Sequence, residues 1–149
     1  MEYQFLVLLH VFFAIIIIGG IWMASFIVIP FAKRTDNPSF AFNYIKAFDR
    51  GSHIVLTLQL LIGFRLAMIY LPMSEWFAFE THLSLTVVVK LVLWVALFAW
   101  MIIGKKKGMS TPESGTLSSA ANYFGILSLL ALGLMVFGLN FRLGLGLFW

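Results

Sequence analysis

Residues 5–31 read FLVLLHVFFAIIIIGGIWMASFIVIPF, and these 27 positions hold no Asp, Glu, Lys or Arg. Wound as an α-helix, the stretch spans about 40 Å, more than the roughly 30 Å hydrocarbon core of a bilayer. It is too long for the apolar part of a signal peptide, and its basic residues, Lys33 and Arg34, follow it rather than precede it. It therefore reads as a retained membrane helix. Working outward, three more apolar runs of similar reach occur at residues 53–71, 83–103 and 123–141. The expected fold is all-α: a four-helix transmembrane bundle with short connecting loops, a single integral membrane domain over residues 1–149.

Composition agrees with that reading. Of the 149 residues, 62% are hydrophobic and 11% charged, and mean hydropathy is +1.01. A soluble domain carries about 25% charged residues, so a soluble enzyme, a nucleic-acid-binding module and a disordered chain are all excluded. There is no cysteine, which removes disulfides, thiolate metal sites and cysteine nucleophiles. The net charge of +4 points to topology rather than to nucleic acid, because it is concentrated in two connections.

The first connection carries Lys33, Arg34, Lys46 and Arg50, and the third carries Lys105, Lys106 and Lys107, whereas residues 72–82 hold Glu75 and Glu80 with no Lys or Arg. The positive-inside rule puts the first and third connections in the cytoplasm and both termini outside, in the periplasm of a bacterial inner membrane. Thr35-Asp36-Asn37-Pro38-Ser39 is a turn cluster, and residues 40–48 (FAFNYIKAF) are expected as a helix on the membrane surface that runs into the second span. Trp76, Phe77, Phe79 and Trp149 suit an outer interfacial belt. The Gly/Ser/Thr/Pro-rich residues 108–119 read as a mobile loop. Gly20-x-x-x-Ala24 and the glycines of the fourth span serve close packing within the bundle or, alternatively, a homodimer face.

Ionisable groups inside a span are costly and are functional candidates by default. His10 shares a stripe with Ala14, Ile17, Ile21 and Ala24. Arg65 lies about 9 Å below the outer end of the second span, near Leu58, Leu61, Met68 and Ile69; Lys90 lies about 10 Å into the third, on a stripe with Thr86, Trp94, Leu97 and Met101. The alternating helix directions bring these three to one depth in the outer half, with His82 above them. The plainer alternatives are snorkelling of Arg65 and Lys90 to the headgroups, a cross-helix hydrogen bond for His10, and an interfacial loop position for His82. Gln59 is expected to bond across helices. His53 is placed at the inner end, about 25 Å from the depth of His10, as a separate site or a helix-entry residue.

Two cations beside a histidine disfavour a bare metal ion and favour an anionic cofactor. A b-type haem has two propionates for Arg65 and Lys90, and an iron for which His10 is an axial ligand with His82 as the candidate second. Copper is the alternative cofactor, since Met23, Met68, Met101 and Met135 put a soft ligand in each span. Those methionines equally fit ordinary packing.

Residues 8–23 (LLHVFFAIIIIGGIWM), with His10 followed by Gly19-Gly20, resemble the opening of the copper-resistance CopD-like membrane family. Residues 88–100 (VVKLVLWVALFAW), with Lys90-Leu91, resemble that family's Lys-Leu stretch, and residues 48–68 (FDRGSHIVLTLQLLIGFRLAM) its second-helix region. The same features are similar to the HemJ-like protoporphyrinogen oxidases, helical membrane proteins that bind b-type haem. The resemblance covers roughly the first three helices and implies His10 and Lys90 as site residues. The Pro-Arg step and closing Lys-Pro of the HemJ-like proteins are absent, which argues against protoporphyrinogen oxidation.

These observations lead to one expectation and two rivals. The expectation is haem b in the outer half of the bilayer, serving electron transfer or haem-linked redox chemistry with a quinol or an outer redox partner. The rivals are a copper-handling protein and an accessory subunit of a larger membrane complex. A membrane oxidoreductase is within reach of the first reading, but no nucleophile–base constellation identifies a catalyst.

Overall fold

A computed structural model describes residues 1–106 and 116–143, the last three of these by backbone alone. Among them are four helices long and apolar enough to cross a membrane, and no strand: α1 (Glu2–Arg34), α2 (Pro38–Tyr70), α3 (His82–Lys106) and α4 (Leu117–Leu143). Successive helices run antiparallel and pack as a bundle. Most large apolar side chains on the outside face away from protein, including Phe5, Leu8, Phe12, Ile15, Phe26 and Leu129. Such a surface fits lipid and not water, so this is a multi-pass membrane protein. One end of the bundle carries the chain's N-terminus and the α2–α3 connection; the other carries Lys33, Arg34, Lys105 and Lys106. They are called here the terminal end and the basic end.

The helices are longer than the apolar runs suggest. Helix α2 has 33 residues, about 50 Å of rise, and begins at Pro38. Pro at a first helical position donates no N–H and so loses nothing. Asn37 caps it by accepting the Phe40 N–H at 3.3 Å. The first connection shrinks to Thr35–Asn37, with Asp36 in the left-handed region at φ 48°, a conformation Asp tolerates better than most residues. Residues 40–48 are helical, as expected, and run into the second span as one continuous helix. Ala41, Phe42 and Ile45 are buried in the common core with Val28, Ile29 and Ala32. Lys46 and Arg50 are therefore helix residues rather than loop residues. Helix α4 starts earlier than the apolar run, at Leu117. The connection at residues 107–115 and Trp149 lie outside the described residues.

Helix α1 contains one π turn, Ala24–Val28. Pro30 explains it: a proline lacks the N–H of the α ladder and crowds the carbonyl four residues back, so a wider turn relieves the clash. The turn also aims Ser25 across to α4. Its hydroxyl lies 2.7 Å from Ser128 Oγ and within bonding distance of the Ile21 and Phe124 carbonyls. Close approaches set the remaining register. Gly20 of α1 lies against the Phe48 ring and Gly104 of α3 against the Tyr123 ring, where a side chain has no room.

The fully buried apolar core is uneven. It comprises Ile17 to Ala32 of α1, Ala41 to Leu56 of α2, Leu97 and Met101 of α3, and Ala120 to Ala131 of α4, all in the basic half. In the terminal half the interior is lined largely by half-buried side chains, and Leu71 and Trp76 are the buried apolar residues there. Trp76 departs from the expected interfacial belt. Its ring stacks on Phe64 at 5.4 Å and its Nε1 donates to the Leu71 carbonyl at 2.9 Å, folding the connection back over the end of α2. Phe77 and Phe79 are exposed.

Candidate functional site

Helix α1 meets α2 in one continuous antiparallel register. Glu2 pairs with Arg65, Tyr3 with Tyr70, His10 with Gln59 and Gly63, and Gly20 with Tyr44 and Phe48. His10 is thereby turned into the bundle. Its expected stripe is interior, with Ile17, Ile21 and Ala24 buried below it. The His10 Nε2 atom lies 3.2 Å from the Gln59 amide nitrogen. Gly63 allows the approach: a Cβ there would stand 3.2 Å from His10 Cε1.

Helix α3 carries the second expected residue on its inward side. The stripe of Lys90 is interior too, with Thr86, Leu97 and Met101 buried. Lys90 itself is half-buried on that inward stripe. One turn along α3, Trp94 stacks on Phe98 at 5.0 Å, and Phe98 meets His53 of α2 edge-on. Three polar atoms in this region are buried without a hydrogen-bond partner: His10 Nδ1, Gln59 Oε1 and Trp94 Nε1. Native interiors leave few such atoms, and each calls for an explanation such as a bound water or ligand. Here they come from three helices, and they sit where the tight apolar core gives out.

Arg65 and His82 are not part of this cluster. The neighbours of Arg65 on α2, Leu58, Leu61, Met68 and Ile69, are exposed, so Arg65 is on the outward face. Its guanidinium reaches up to the terminal end and donates to the Glu2 carboxylate through Nε at 3.0 Å and Nη2 at 2.7 Å. Glu2 precedes the apolar run, so the spans alone do not point to it. His82 is the exposed first residue of α3, about 12 Å of helix rise from Lys90. Gln59 makes the cross-helix contact expected of it, and its partner is His10.

His53 is nearer the site than span depths imply. It stands six residues from Gln59 on one helix, about 9 Å of rise, because α1 begins at Glu2 and α2 is longer than its apolar run. Its Nδ1 donates to the Asp49 carbonyl at 2.9 Å. The Asp49 carboxylate in turn meets Lys105 at 3.5 Å. The methionines do not form a file: Met23 and Met68 are exposed on the outside, while Met101 is buried. Among the described residues there is no group of three or more His, Asp or Glu able to hold a metal ion.

What the cluster offers chemically is one buried imidazole, one enclosed ammonium, an amide and an indole N–H, ringed by half-buried apolar side chains. The seam between α2 and α3 beside it is the sparsest between chain-adjacent helices among the described residues. No family model, no curated protein and no solved structure matches the chain.

Proposed function

We propose that the protein binds b-type haem in the terminal half of the bundle, with His10 as the axial ligand and Lys90 as a propionate partner. Its role would then be electron transfer or haem-linked redox chemistry. The observation that supports this reading is the set of orphaned polar atoms around the inward-turned His10, with Lys90 on the inward stripe of α3, in the half where the apolar side chains are only half-buried. When bound, haem supplies one-electron chemistry at its iron. The chain's own residues do the rest. His10 presents a nitrogen lone pair, Lys90 neutralises a carboxylate in an apolar setting, and the surrounding side chains exclude water.

The donor set fits haem better than copper. A haem iron needs a single protein imidazole, whereas a copper site needs several converging ligands. Arg65, already paired with Glu2, drops out as a propionate partner, and His82 on the rim drops out as a second axial ligand. The likeness of residues 8–23 and 88–100 to the CopD-like and HemJ-like families points to the same two residues. The excess of Lys and Arg at the basic end supports a cytoplasmic position for it, with the His10 site toward the periplasmic face of a bacterial inner membrane. A membrane quinol or a periplasmic redox protein is then the electron partner.

The test is the visible spectrum of detergent-purified protein expressed with ample haem precursor. A Soret band is expected in the wild type and its loss in His10→Ala. A wild-type sample without a Soret band, or an unchanged band in His10→Ala, overturns the reading.

A further inference from the structure

The three buried polar atoms without a partner, His10 Nδ1, Gln59 Oε1 and Trp94 Nε1, are not chemically equivalent. An imidazole nitrogen is donor or acceptor according to the tautomer, and an amide exchanges its oxygen and nitrogen when it turns over. An indole N–H has neither freedom. It is a donor in every state, and a buried donor with no acceptor is costly to a fold. Trp94 therefore states unambiguously what is missing beside it: an acceptor.

The ring is held in place. Trp94 stacks on Phe98 at 5.0 Å with 11° between the planes, and Phe98 meets His53 of α2 edge-on at 5.8 Å. Lys90 and Trp94 stand one turn apart on α3 and are both half-buried, a spacing that makes them neighbours on one helix face. An ammonium and an indole N–H side by side suit an acceptor that is itself negative, because a hydrogen bond to a charged oxygen is stronger than one to a neutral oxygen and gains further in apolar surroundings.

We propose that Trp94 is a second anion-binding residue of the site: its indole N–H donates to the carboxylate that Lys90 neutralises. For haem that carboxylate is a propionate, so the proposal rests on the function proposed above. It supplies a propionate contact that Arg65, engaged by Glu2, does not.

The experiment compares full-length wild type with Trp94→Phe, which removes the N–H and keeps a ring to stack on Phe98. Each purified protein is loaded in detergent with haem b and, separately, with haem b dimethyl ester, whose capped propionates carry no charge. Retention is read from the Soret band as an excess of a soluble haem-binding protein competes for the ligand. Trp94→Phe is expected to hold haem b roughly 10- to 100-fold less tightly than the wild type, whereas the two proteins hold the dimethyl ester alike. Replacement of Trp94 by 3-benzothienylalanine, which keeps the shape of the indole with sulfur in place of the N–H, should give the same pattern even if the smaller phenyl ring disturbs packing. Unchanged retention of haem b in both variants overturns the proposal, and so does an equal loss of haem b and its ester in the benzothienyl protein, the mark of a packing role. Either result leaves the haem reading standing. A wild type that takes up no haem b overturns the haem reading and this proposal with it.

Discussion

Adjacent glycines in α1 offer a controlled test of the register that carries His10 to Gln59. Gly19 has nothing within 4 Å of the place a Cβ would occupy, while Gly20 lies against the Phe48 ring. Phe48 cannot swing away freely. It is stacked on Tyr44 at 6.4 Å and tilted against Phe124 at 6.4 Å, and Tyr44 donates to the Gly20 carbonyl at 2.9 Å. Replacing either glycine by alanine brings the same gain in helix propensity, about 1 kcal/mol. That gain cancels when the two variants are compared. What remains is the overpacking at Gly20, about 1–3 kcal/mol, or roughly 5- to 150-fold in the folding equilibrium. The assay is reversible unfolding of the purified protein in mixed micelles of rising SDS content, followed by tryptophan fluorescence. Gly20→Ala should unfold at distinctly lower SDS than Gly19→Ala. Equal midpoints would mean that α1 and α2 do not meet at Gly20 and Phe48, and the His10–Gln59 pairing in the same register would fall with them.

Three further outcomes are expected. Lys90→Gln should reduce the Soret band per protein, whereas Arg65→Gln should leave it unchanged, because Arg65 is engaged by Glu2 outside the cluster; equal losses would argue against that division. Ser25→Ala removes the hydroxyl contacts to α4 and should cost about 0.5–1.5 kcal/mol in the same unfolding assay, with Ser128→Ala adding little once Ser25 is gone. Gly63→Ala crowds His10 Cε1 from 3.2 Å and should shift the ring signals of His10 in the NMR spectrum of 15N-histidine-labelled protein without moving those of His53 or His82.

Much of the architecture is legible along the chain. Four long apolar runs and two basic connections lead directly to four helices with most of the basic residues gathered at one end, and the structure agrees. Interior stripes were legible where a polar residue shared its face with small or large apolar ones, as with His10 and Lys90. Arg65 defeats the same reasoning, because its apolar neighbours face outward, and in a membrane an apolar stripe marks lipid as readily as core. Trp76 defeats it for a related reason. An aromatic residue in a connection suits an interface, yet this one is drawn back by the Leu71 carbonyl and the Phe64 ring, 5 and 12 residues away along the chain.

The sequence by itself determined the solvent, the helix count and the short list of polar residues that lipid does not tolerate. Each follows from the length of a run or the charge of a residue, properties the chain possesses before it folds. The tertiary structure decided which members of the list meet. His10 faces Gln59 and Gly63, and Arg65 goes to Glu2, because close contacts such as Gly20 on Phe48 and Gly104 on Tyr123 set the helices against one another. Such contacts join residues far apart in the chain and depend on side-chain shape at a few positions. Neither hydropathy nor helical periodicity carries that information.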